Sequence, residues 1–166
     1  MNLLIALTVS IGLLAVVATW LVLGPLAALQ IQIWQAFIAW GCFYHSGGKS
    51  AGFTKTLVCM VLGAVVGMAS VMLAGQLGGL GALAAPVAVG IGAAVLVLAA
   101  HMPALSVIPA SVYGFASVAG LILLGKDMTP TAAIVPTLAS IGIGAAFGWV
   151  SEALGGALTK KEAAAA

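Results

Sequence analysis

Three glutamines, Gln30, Gln32 and Gln35, interrupt a run of apolar and aromatic residues, and Ser106, Tyr113 and Ser117 do the same in a second run. Amides and hydroxyls donate and accept hydrogen bonds but carry no charge at neutral pH. Their chemistry is to hold and orient a neutral molecule rather than to break a bond. At helical spacing Gln32, Ala36, Ala39 and Phe43 share one face, and Ser106, Ala110, Tyr113 and Ser117 share another. Opposed to each other, the two faces define a narrow polar path, with Gln35 beside it and Phe43 and Tyr113 as constrictions. Pro109 and Pro136, placed within helices, would free the carbonyls of Leu105 and Ala132 toward that path. A packing reading stands beside this one, because serine and threonine in membrane helices often bond their own backbone and glutamine often joins helices.

Charged chemistry is nearly absent. The acidic and basic residues are Lys49, Lys55, Lys126, Lys160, Lys161, Asp127, Glu152 and Glu162, with no arginine. Proton- or ion-coupled carriers place carboxylates or histidines at membrane depth, and this chain has none there. Passive movement is therefore expected in place of coupled pumping. His45, His101 and Glu152 fall at one set of helix ends and would suit a two-histidine, one-carboxylate metal site or a pH-sensitive gate. Their position at the water interface accounts for them without either role, and no metal or other cofactor is expected. No serine–histidine–acid set, phosphate loop or carboxylate pair supports an enzyme. The scattered net charge of +2 gives no nucleic-acid-binding patch.

The elements that position these groups follow from composition. Of 166 residues, 64% are hydrophobic and 5% charged, against roughly 25% charged in an ordinary soluble domain. A hydrocarbon core takes about 20 apolar residues per helix. The uncharged runs divide on that length into six spans, near Leu3–Leu23, Leu26–Tyr44, Gly52–Ala74, Leu80–Ala100, Ala104–Leu124 and Thr131–Leu154. The first lacks a basic start and is too long for a secretory signal's apolar core. Trp20 and Trp149 lie near predicted helix ends as interfacial anchors, while Trp34 and Trp40 are deeper. Lysines in short loops stay on the cytoplasmic side. An inside N-terminus leaves only Lys126 outside, so both termini are expected in the cytoplasm. Cys42 and Cys59 fall within spans, where cysteine behaves as a small apolar residue.

The spans repeat. Gly63-Ala-Val-Val-Gly67 returns as Gly144-Ala-Ala-Phe-Gly148, and a weaker match sets Trp34–Gly41 against Ile108–Phe115. Two units of three helices enter a membrane from opposite sides, the inverted-repeat design of many transporters. The expected fold is thus an all-α integral membrane protein, six transmembrane helices as two inverted three-helix repeats. Residues 1–158 form one transmembrane domain, with repeats at about 1–75 and 80–158, and residues 159–166 form a cytoplasmic tail. Glycines four apart let helix backbones approach closely, so Gly63, Gly67, Gly144 and Gly148 are expected at two symmetry-related crossings.

Trp34–Phe43 with Gly47-Gly48, Ile108-Pro109-Ala110 with Gly114-Phe115-Ala116, and the glycine-rich last helix together resemble a small bacterial inner-membrane family, domain of unknown function 1097. The resemblance implies a multi-spanning inner-membrane protein and brings no catalytic residue. From the side chains, the expected function is a passive channel or facilitator for a small neutral amide-like or polyol-like solute, working as a homo-oligomer in the bilayer. The alternatives are an exporter or import component for small organic acids or aromatic compounds, and an accessory subunit of a membrane complex.

Overall fold

A computed structural model describes residues 2–163, with side chains placed through Thr159. All its regular elements are helical: α1 (Leu3–Leu23), α2 (Ile33–His45), α3 (Lys49–Gln76), α4 (Ala84–Ala99), α5 (Ile108–Leu124) and α6 (Pro130–Ala163). Short 3-10 turns at Ala27–Leu29, Gly78–Leu83 and Pro103–Leu105 precede α2, α4 and α5.

Local chemistry sets the helix ends. The Asn2 side chain accepts from the Ile5 amide at 2.9 Å and caps α1, and Gly24-Pro25 stops that helix. The α2–α3 corner needs left-handed backbone at Gly47 (φ 97°) and Gly48 (φ 65°), where glycine carries no steric penalty. Thr129 Oγ1 accepts from the Ala132 amide at 3.2 Å at the start of α6.

Among the described residues four helical segments are long and apolar enough to cross a membrane: Leu3–Leu23, Lys49–Gln76, Gly78–Ala99 and Pro130–Thr159. The six expected spans correspond to six helices, and α2 and α5 fall below this length. The α2 helix has 13 residues and α5 has 17, or about 20 and 26 Å at 1.5 Å per residue, against a hydrocarbon core of about 30 Å. Both start later than their hydropathy predicts. Gln30 adopts a left-handed conformation (φ 54°) and Gln32 an extended one, so the helix cannot begin before Ile33. On the other side, Pro103–Leu105 turns and Val107 is non-helical. The α6 helix continues to Ala163. Residues 164–166 and the side chains of Lys160, Lys161 and Glu162 lie outside the described residues.

Packing centres on α3 and α6. The main neighbour of α3 is α5, followed by α4 and α6; that of α6 is α2, followed by α3 and α1. Each long helix therefore carries the short helix of the other half of the chain. Exchanging α1 with α4, α2 with α5 and α3 with α6 leaves this set of principal neighbours unchanged.

Candidate functional site

The two glycine pairs lie at the two main crossings. A Cβ on Gly63 would collide with the Ser111 carbonyl, and one on Gly67 would come within 2.8 Å of the Phe115 carbonyl and Val118 Cγ1. In the other half, a Cβ on Gly144 would collide with the Ala36 carbonyl, and one on Gly148 would come within 2.8 Å of Phe43. Ser111 thus stands to Gly63 as Ala36 stands to Gly144, and Val118 to Gly67 as Phe43 to Gly148. The sequence alignment, which paired Ala36 with Ala110 and Phe43 with Ser117, is out of register by one residue. The contacts ascend together along each pair, so α3 runs parallel to α5 and α6 parallel to α2. At the α3–α6 contact Gly48 meets Glu152 and Phe53 meets Trp149, so these two helices are antiparallel. It follows that α2 and α5 run antiparallel to each other.

This geometry revises the predicted polar path. Ala36, Ala39 and Phe43 are fully or nearly fully buried against the α6 glycines. That face is a packing face, because glycine draws the α2 backbone onto α6. Ser106 and Pro109 are exposed, and Ser106 sits in the turn before α5. Pro109 occupies the first turn of α5, where a missing amide breaks no helical bond. It does not release the Leu105 carbonyl from a helix, because that carbonyl precedes the helix. Pro136 does lie inside α6. Gln32 is half-buried, its Nε2 donating to the Gln30 carbonyl at 2.7 Å.

The glutamine that reaches the interior is Gln35. Its Nε2 donates to the Ser117 carbonyl at 2.8 Å and to Thr137 Oγ1 at 3.1 Å, joining α2, α5 and α6. Gln35, Ser117 and Thr137 are all fully buried. Gln35 Oε1 and Ser117 Oγ have no hydrogen-bond partner among the described residues, and neither does Ser111 Oγ further toward the start of α5. Buried polar atoms are almost always paired, so an unpartnered set calls for a ligand, water or function.

Two grooves approach this point along the α2–α5 seam. One, of about 500 Å³, includes Ile38, Cys42, His45, Tyr113 and Ala116. The other, of about 150 Å³, includes Gln32, Trp34, Gly120 and Leu124. Along the antiparallel helices Gln35 falls between Trp34 and Ile38, and Ser117 between Ala116 and Gly120, so both stand at the level between the grooves without lining either. Tyr113, half-buried with its ring 5.8 Å from that of His45, lines the first groove as a wall.

The remaining polar residues serve structure. Glu152 Oε2 accepts from the Lys49 amide at 2.7 Å, capping the start of α3. His101 Nδ1 lies 3.0 Å from the Leu98 carbonyl. His45, His101 and Glu152 are not brought together, and no group of three or more potential metal ligands forms among the described residues. Ser151 gathers the Trp40 indole N–H at 3.0 Å and the Tyr44 hydroxyl at 2.7 Å. Thr137, Ser140 and Ser151 had no assigned role in the sequence. Their signal is spacing: with Gly144 and Gly148 they fall three or four residues apart on one face of α6.

An all-helical bundle with several membrane-length apolar helices and a buried, uncharged polar centre defines a multi-pass membrane protein. The chain belongs to the family described as protein of unknown function (DUF1097), whose family model matches residues 8–156. No curated protein and no solved structure matches it.

Proposed function

We propose that the chain is a passive facilitator for small neutral hydrogen-bonding solutes, amide-like or polyol-like, with the α2–α5 seam as its route. The carrying observation is the placement of Gln35 and Ser117, each with an unpartnered polar atom, between grooves that enter the seam from opposite ends. Corresponding short helices that begin inside a bundle point to a transport site in inverted-repeat membrane proteins. Here α2 and α5 are short helices in corresponding positions, α4 reaching membrane length only with the 3-10 turn before it, and the exchange symmetry of the helix contacts supports two inverted three-helix units. The groups facing the site are an amide, a carbonyl and hydroxyls, which suits an uncharged solute.

The site is closed to solvent, so passage requires α2 and α5 to part. Their mutual contact is small compared with the hold of α6 on α2 and of α3 on α5, which makes the seam the place to open. Trp34 and Phe37 are 39% and 41% exposed along it. A second copy of the chain laid over that side would seal the route from lipid, consistent with a homo-oligomer in the bacterial inner membrane. In liposomes the purified protein should accelerate solute-driven swelling, and Ser117→Leu, which fills the seam, should slow it. Rates equal to empty liposomes across a broad panel of neutral solutes would remove this function.

A further inference from the structure

We infer that Gln35 restricts the route to solutes that donate hydrogen bonds, so that the substrate class is neutral molecules bearing N–H or O–H groups; this rests on the facilitator reading. Side-chain amides have two orientations that differ only in which end is oxygen. Here the choice is fixed by chemistry, because one end lies 2.8 Å from the Ser117 carbonyl, which can only accept. Reversing the amide would press two carbonyl oxygens together. Nε2 must therefore face Ser117, and its second hydrogen goes to Thr137 Oγ1 at 3.1 Å.

Both donors of Gln35 are thereby spent. What the side chain still offers is Oε1, an acceptor, fully buried and without a partner among the described residues. The hydroxyl of Ser117, the residue whose carbonyl holds Nε2, is also buried and unpartnered and can donate or accept. A solute placed there must present a donor to Oε1. A carboxylate, nitrate or halide brings only acceptors and would set negative charge against the amide oxygen. A cation meets only uncharged groups here, an amide, a carbonyl and hydroxyls, with no carboxylate at the site to offset its desolvation. Ureas, primary amides and polyols carry what both groups lack: N–H or O–H for Oε1, and oxygen for the Ser117 hydroxyl. An undissociated weak acid fits by the same criterion and its anion does not.

The test compares urea and glycerol with trimethylamine N-oxide, which is small, neutral overall and able only to accept. Fluxes are measured by light scattering in proteoliposomes carrying the wild type or Gln35→Met, which keeps length and removes the amide. Urea and glycerol should be accelerated over empty liposomes while trimethylamine N-oxide stays at the empty-liposome rate. Gln35→Met should lower the donor fluxes roughly ten-fold, the scale of one lost buried hydrogen bond. Equal acceleration of donors and of trimethylamine N-oxide overturns the donor requirement and leaves facilitation standing. Unchanged donor flux in folded Gln35→Met does the same. Absence of flux for every solute overturns the facilitator function and this assignment with it. Should Gln35→Met fail to fold, the wild-type selectivity alone decides.

Discussion

Substituting alanine for single glycines of α6 isolates what close backbone approach contributes. Gly142 and Gly144 are two residues apart on the same helix, and both gain helix propensity on becoming alanine, about 0.5–1 kcal/mol. Their surroundings differ. No atom beyond the helix's own nearby backbone lies within 4 Å of a Cβ built at Gly142, whereas one at Gly144 overlaps the Ala36 carbonyl and lies 2.8 Å from Ala39 Cβ. Neither neighbour is the far end of a flexible side chain, so α2 itself must move. Overpacking of this kind costs about 1–3 kcal/mol. Gly142→Ala is therefore neutral or stabilising, and Gly144→Ala falls below it by that packing cost. At roughly 2–4 °C per kcal/mol, the two variants separate by about 2–12 °C in thermal unfolding followed by tryptophan fluorescence in mild detergent. Gly63→Ala, whose Cβ meets the Ser111 carbonyl, should lose a similar amount at the α3–α5 crossing. Identical melting of Gly142→Ala and Gly144→Ala would refute the claim that these glycines hold the crossings together.

Glu152→Ala removes the carboxylate that caps α3 at the Lys49 amide and should cost about 1 kcal/mol, seen as a lower melting temperature, with Glu152→Gln recovering part of it; no change in either variant would show that the contact contributes nothing. For topology, a C-terminal reporter that fluoresces only in the cytoplasm should be bright, and a reactive cysteine replacing Lys126 should be labelled from outside intact cells. A dark reporter with Lys126 labelled only after lysis would reverse the orientation drawn from the lysines.

The hydrophobic pattern made the helical membrane class and the four glycines at the crossings legible in advance. Apolar composition separates membrane from soluble chains by a wide margin, and small residues four apart have few other uses in lipid. The starts of α2 and α5 were not legible. Hydropathy averages Leu26–Leu29 and the stretch around Leu105 as apolar whatever their backbone does, and the left-handed conformation of Gln30 leaves no mark in it. The same blindness placed Ser106 and Pro109 on a helix face and Gln32 at the head of the path. The polar centre was half legible: Gln35 and Ser117 are both candidates in the sequence, whereas Thr137, the partner of Gln35, carries no signal beyond its spacing on α6. A one-residue register error followed from aligning apolar residues, which tolerate such a slip, where backbone contacts at Gly63 and Gly144 do not.

The short helices raise a problem that the sequence solves in the same place in each half. A helix that starts inside an apolar bundle leaves backbone amides and carbonyls without water to satisfy them. Ser140 lies ten residues into α6, about 15 Å along its axis, and its hydroxyl accepts from the Gln32 amide at 2.9 Å while donating to the Pro136 carbonyl at 2.7 Å. Cys59 lies ten residues into α3, and its thiol donates to the Ala104 carbonyl at 3.6 Å in the turn before α5. Ser140 precedes Gly144 by four residues and Cys59 precedes Gly63 by four, so each stands one helical turn before the crossing it serves. The glycine brings the short helix onto the long one, and the serine or cysteine one turn earlier satisfies the non-helical backbone where that short helix begins. Cys59 is thus more than the small apolar residue its hydrophobic surroundings imply. The interrupted helices are built in by paired residues on α3 and α6, and they leave the α2–α5 seam lightly packed enough to hold an amide with an unspent oxygen.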